Sequence, residues 1–269
     1  MFPSSDFFSG LRLAQRAHFP ALAGGALVVL VLAAWMAAQF SARQPTTVAL
    51  DVGFSAMRLL LPLVMVLMTQ ELLSREFDRR YFLSSLTYPR ARHRLLLGRF
   101  AALAMLCLGL LLVMSVVLGL AVTLIGKGYE QVTPVSLGQP YLVAIAFLAL
   151  DLLVLTALAA FLAMVASTPS FVLVGTFGFL LVARSFAAIV ELLNRNAAVV
   201  ADAEGYRAGI GTLGYLLPDL GALDVRMVAL YGRLDFLPAD WPWLVLGCLA
   251  YAFALLGLAV WALQRKRFA

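Results

Sequence analysis

Six apolar segments make up more than half of this chain, each 18 to 31 residues long: Phe19–Phe40, Val52–Thr69, Leu95–Ile125, Tyr141–Ala166, Phe171–Leu193 and Trp241–Leu263. A helix needs about 20 apolar residues to cross the hydrocarbon core of a bilayer. Lipid offers a peptide group no hydrogen bond, so each segment must satisfy its backbone internally. The expectation is an all-α integral membrane protein with six transmembrane helices. Composition points the same way, with 63% hydrophobic and 13% charged residues and a mean hydropathy of +0.96. A soluble domain carries about 25% charged residues, and this chain has too few polar groups to cover a globule in water.

Charge sets the orientation. With both termini in the cytosol, the cytosolic side holds twelve Lys/Arg against four acids, and the external side six against nine, counting Arg99 and Glu191 with the span ends they adjoin. That is the positive-inside pattern, N-in and C-in. Trp241 and Trp243 then mark the outer interface and Trp261 the inner one.

Residues 1–269 read as a single transmembrane domain with three appended features. In residues 1–18, Phe7, Phe8 and Leu11 with Arg12 and Arg16 suggest a helix lying along the membrane surface and not a cleavable signal peptide. Residues 71–89 form a cytosolic connector between spans 2 and 3. Residues 194–240 form the one sizeable external segment, where Pro218 and several acids interrupt an apolar run, as expected of short helices before span 6.

Catalytic chemistry is scarce. His18 and His93 are far apart, and Cys107 and Cys248 lie inside apolar runs, so neither a metal site nor a disulfide framework is expected. "IGKGYE", from Ile125 to Glu130, lacks the Ser/Thr that follows Gly-Lys in a phosphate-binding loop. If ATP drives this protein, another chain supplies the ATPase.

Three charges lie within spans: Arg58, Asp151 and Arg184. A charge at the centre of a membrane helix costs about 2.5–3.5 kcal/mol on insertion scales. Asp151 is therefore expected to pair with Arg58 or with Arg184, either locking helices together or lining a substrate path.

The connector concentrates the remaining charge. From Ser74 to Phe100 it carries Arg75, Arg79, Arg80, Arg90, Arg92, Arg94 and Arg99, opposed by Glu76 and Asp78. Leu73, Phe77 and Tyr81 recur at four-residue steps on one helical face. Pro89 disfavours helix at Tyr88 and ends the element.

"REFDRRYFLSSLTYPRARHRLLLGRF" resembles the signature of type 2 ATP-binding-cassette (ABC) export permeases, through Glu76, Leu83, Leu86, Pro89, Leu97, Gly98 and Arg99. Arg80 and Tyr81 stand where that signature has Gly-Thr, and Ser84 and Ser85 dilute its leucine run. Thr87-Tyr88-Pro89 and the external "PDLGALDVRMVALYG" are similar to the permeases of multicopper-enzyme maturation, nitrous oxide reductase maturation among them.

The resemblance implies a multi-pass permease of the bacterial inner membrane, not itself an enzyme, that couples ATP hydrolysis on a separate subunit to export or to a conformational change. It implies a coupling helix whose ATPase-facing residues are Leu73, Arg75, Glu76, Phe77, Arg79, Arg80 and Tyr81. ATP and Mg would sit on a cytosolic ABC ATPase partner, with no cofactor on this chain. A second copy or a homologous permease, membrane lipid and a periplasmic protein are the other expected partners, and nucleic acid is not. The competing reading is a membrane scaffold or assembly subunit whose basic connector binds anionic lipid or another protein.

Overall fold

A computed structural model describes residues 4–41, 43–74, 92–128, 135–166, 168–195 and 217–265. Eight α-helices run through them: α1 (Ser4–Arg16), α2 (Phe19–Phe40), α3 (Pro45–Thr69), α4 (Arg92–Gly126), α5 (Gln139–Val165), α6 (Pro169–Arg195), α7 (Arg226–Tyr231) and α8 (Trp241–Arg265). A π-helical turn, Gln70–Ser74, extends α3, and a 3₁₀ turn, Leu234–Phe236, follows α7. No strand occurs among the described residues.

Five of these helices are long and apolar enough to cross a membrane: α2, α3 with its π turn, α4, α5 and α8. In α6 the apolar stretch Pro169–Ser185 is shorter. The expected span Val52–Thr69 lies inside α3, which continues through both Arg58 and Pro62. At about 1.5 Å per residue, the 35 residues of α4 reach about 50 Å, well beyond a hydrocarbon core of about 30 Å.

Helix starts follow from local chemistry. Proline stands in the first turn of α2, α3 and α5, where its missing N–H would be unpaired in any case. His18 turns the chain from α1 into α2 with a left-handed φ of 60°. Gly232 ends α7 in the same region, at φ 66°, where only glycine is free of a Cβ penalty.

The core is centred on α5, which packs against α3, α4, α6, α7 and α8. Small residues at Ala144, Ala157, Ala159, Ala160 and Ala163, all buried, let its neighbours close in. Tyr141 at its start donates a 2.6 Å hydrogen bond to the Ser115 carbonyl of α4 and meets Phe54 of α3 edge-on at 5.6 Å. Between α3 and α4 the approach is closer still. A Cβ added at Gly53 would lie 2.3 Å from Leu118 Cδ1.

The peripheral helices divide by face. In α2 only Ala26, Leu30, Ala34 and Ala38 are buried, a narrow stripe at four-residue steps, while Val28, Leu32, Trp35 and Met36 stand exposed as a lipid-facing surface would. The α8 helix repeats this with Cys248, Ala252, Leu255 and Ala259 inward and Trp241, Trp243, Phe253 and Trp261 outward. Near its end Arg265 lies over the Trp261 ring, 4.3 Å from the centroid.

The α1 helix rests on α4 through small residues. Gly10 and Ala14 are buried, and a Cβ at Gly10 would come within 2.9 Å of Ala102 Cβ.

Candidate functional site

Arg58 and Asp151 lie 13 and 12 residues into α3 and α5, counted from Pro45 and Gln139. At about 1.5 Å per residue both are about 20 Å from the same end of the bundle, deep for charged groups in a spanning helix. Asp151 is 2% exposed, and its Oδ2 accepts a 2.5 Å bond from Arg184 Nη2 on α6. The structure thus pairs Asp151 with Arg184.

Arg184 also engages α3, and the reason lies in the backbone. Proline has no N–H, so Pro62 cannot donate to the carbonyl four residues earlier, which is that of Arg58. Arg184 Nη1 donates to this carbonyl oxygen at 3.1 Å. One guanidinium therefore joins α6 to α5 through a carboxylate and to α3 through a carbonyl that proline left open. Asp151 Oδ1 is buried and has no hydrogen-bond partner among the described residues, so this carboxylate can still accept one more donor.

The Arg58 side chain turns toward the segment before α7. Its Nη1 forms an ion pair with Asp224 Oδ2, and its Nη2 donates to the Leu220 carbonyl at 3.3 Å. Side-chain exposure is 14% for Arg58 and 23% for Asp224. Toward the start of α3 the chain of charges continues. Arg226 Nη1 donates to Asp51 Oδ1 at 3.0 Å and to Ser55 Oγ at 2.8 Å, and its Nε lies 3.5 Å from Asp224.

The segment carrying these partners is built to be held. The Asp219 carboxylate accepts from the Ala222 N–H at 3.0 Å, closing a tight turn. Leu220, Leu223, Val225, Val228 and Ala229 are all buried. Short helices are present before α8, as the sequence suggests, but this stretch is part of the protein core and does more than lie along a membrane interface. Gly221 makes the fit possible, because a Cβ there would lie 2.8 Å from the Arg184 carbonyl oxygen.

Gly221→Ala should therefore lift the segment away from α6, since a helix carbonyl cannot turn aside as a side chain can. The expected result is faster amide hydrogen exchange across residues 217–231 with exchange in α2 unchanged. Wild-type exchange in that segment would show the contact to be slack.

At the opposite end, the two helices that flank the connector are tied down. Gln70 Nε2 donates to the Pro169 carbonyl at 2.8 Å, joining the π turn to the start of α6. Arg99 Nη1 donates to the Leu72 carbonyl at 2.6 Å, joining it to α4. Leu73 is fully buried in this turn, so its side chain anchors the base of the connector. Arg75, Glu76, Phe77, Arg79, Arg80 and Tyr81 lie outside the described residues.

Of the expected site residues, then, Arg58, Asp151 and Arg184 come together. Sequence reading missed Asp51, Ser55, Asp224, Arg226 and the Arg58 carbonyl. The available signals were the acids set in "PDLGALDVR" and a proline four residues after an intramembrane arginine. Among the described residues no group of three or more His, Cys, Asp or Glu side chains could hold a metal. The assembly is a ladder of charges that holds three helices and one folded segment in a single register.

A family model described as ABC-2 family transporter protein matches residues 13–185. The match covers the expected connector and the positions of Arg58, Asp151 and Arg184, and ends before Asp224 and Arg226. No curated protein matches the chain.

Proposed function

The chain belongs to the ABC-2 transporter family, and from that premise we propose that it is the permease subunit through which a separate cytosolic ATPase drives export across a bacterial inner membrane. In this reading it pairs with a second copy of itself or with a homologous permease, and ATP and Mg stay on the ATPase. "TYP" at Thr87–Pro89 and the external "PDLGALDVRMVALYG" favour, within that family, complexes that serve multicopper-enzyme maturation and act on a periplasmic partner.

The observation that carries the mechanism is the tethering at the base of the connector, where Gln70 holds α6 and Arg99 holds Leu72. A push on residues 75–91 would reach α3, α4 and α6 together. Sliding α3 against α6 would then strain the bond from Arg184 to the Arg58 carbonyl and, beyond it, the Arg58–Asp224 pair. These charges would act as a latch at the far end of the same helices, closed while Asp224 is held and open when α3 moves. Glu76, as a carboxylate bonded to arginines or helix N–H groups, would stiffen the pushed element. Arg75, Arg79 and Arg80 would face the ATPase around Phe77 and Tyr81.

The test is a gentle-detergent pull-down of the full chain from its native membrane. A stoichiometric ATPase is expected, with recovery falling about ten-fold, equivalent to about 1.4 kcal/mol of contact energy, when Glu76→Ala and Phe77→Ala are combined. Repeated recovery without an ATPase, from membranes that express candidate ATPases, would leave the scaffold reading standing.

A further inference from the structure

Beside the tethered turn lies a cavity of about 610 Å³, lined by Phe8, Ser9, Arg12, Leu13 and Arg16 of α1 and by Arg99 of α4. We propose that this cavity binds a phosphate group, with an anionic phospholipid headgroup as the source its lining favours. Two helices contribute three arginines to its lining, and no acidic residue lines it among the described residues. Arg99 is 8% exposed, and the Leu72 carbonyl fixes its Nη1. Arg12 and Arg16 take part in no ion pair among the described residues, while α1 is fixed to α4 where Gly10 meets Ala102.

The volume falls within the range of small-molecule sites, about 300–1,000 Å³. It holds a headgroup and part of a glycerol backbone. The apolar part of the lining fits a lipid. Phe8, which is exposed, and Leu13 both line the cavity, and the apolar helices α2 and α4 adjoin α1. Guanidinium groups give planar, two-point recognition of phosphate oxygens. That separates this site from the general attraction of basic residues to an anionic surface, which needs no cavity and no buried arginine. The inference does not depend on the transport reading.

The experiment is native mass spectrometry of the delipidated full chain with added phosphatidylglycerol, phosphatidylcholine or inorganic phosphate. Phosphatidylglycerol should bind in clear preference to phosphatidylcholine. Each basic residue near an anionic lipid contributes about five-fold to affinity, so Arg12→Gln with Arg16→Gln should weaken phosphatidylglycerol about 25-fold. Arg233→Gln, an exposed arginine elsewhere, should not. Inorganic phosphate that binds with the same dependence on Arg12 and Arg16 and displaces the lipid would support the phosphate site and assign it a soluble source. Equal binding of both lipids, or a double variant no weaker than Arg233→Gln, would overturn the proposal.

Discussion

Arg184→Ala should destabilise the protein by about 3–5 kcal/mol, the usual cost of stripping one partner from a buried ion pair. Typical total stabilities are about 5–15 kcal/mol, so the loss would be between about a fifth of the total and all of it. The reason is Asp151, 2% exposed and bonded through Oδ2 to that guanidinium. Without Arg184 a carboxylate remains in an apolar interior, and the Arg58 carbonyl opposite Pro62 loses its donor as well. Combining Arg184→Leu with Asp151→Leu removes both charges and should recover most of the stability, because apolar replacement of a whole buried pair is often neutral or better. Thermal unfolding of the single and double variants provides the readout. A double variant as unstable as Arg184→Ala would show that charge is not what the site supplies to the fold. A stable double variant that no longer transports would assign the pair to the moving parts of the cycle.

The second large effect is expected at Asp224. Among the described residues, Asp224→Ala leaves the Arg58 side chain only the Leu220 carbonyl, and it removes a neighbour of Arg226. A hydrogen bond to a charged group contributes about 1.5–3 kcal/mol. Local opening of residues 217–231 should therefore become about ten- to a hundred-fold more frequent, read as faster hydrogen exchange in that segment alone. Exchanging the charges, Arg58→Asp with Asp224→Arg, should slow it again if the attraction between the two is what matters. Under the latch reading, the Asp224→Ala complex should also hydrolyse ATP without matching transport. Unchanged exchange in Asp224→Ala would mean that buried Leu220, Leu223 and Val228 hold the segment unaided.

These outcomes separate two roles for the charges that sequence alone leaves together. An intramembrane arginine is costly wherever it lies, so Arg58 and Arg184 invite attention in any reading of the chain. Their partners do not. Arg58 and Asp224 are 166 positions apart in the sequence, and no periodicity or motif joins them. The Asp219 turn and Gly221 bring Asp224 down onto α3 by a fit visible only when α6 lies beneath. The same limit applies to α1, whose arginines look like an interfacial face in sequence and line a cavity once Gly10 rests on Ala102.

The local elements are legible in the residues alone. Hydropathy acts residue by residue and a helix satisfies its own backbone, so the first expected span, Phe19–Phe40, coincides with α2, and the other five fall within helices that run a few residues further, apart from a residue at the end of α5. The basic connector and its Glu76, Pro89 and Leu-Gly-Arg steps pointed to an ABC-2 permease, and the family match over residues 13–185 agrees. Which guanidinium meets Asp151 is a matter of packing, because it depends on how α5 and α6 rotate about their axes as they close. Packing also gave Pro62 its part. A missing N–H is written in the sequence, but the donor that takes its place comes from another helix, and packing alone selects it.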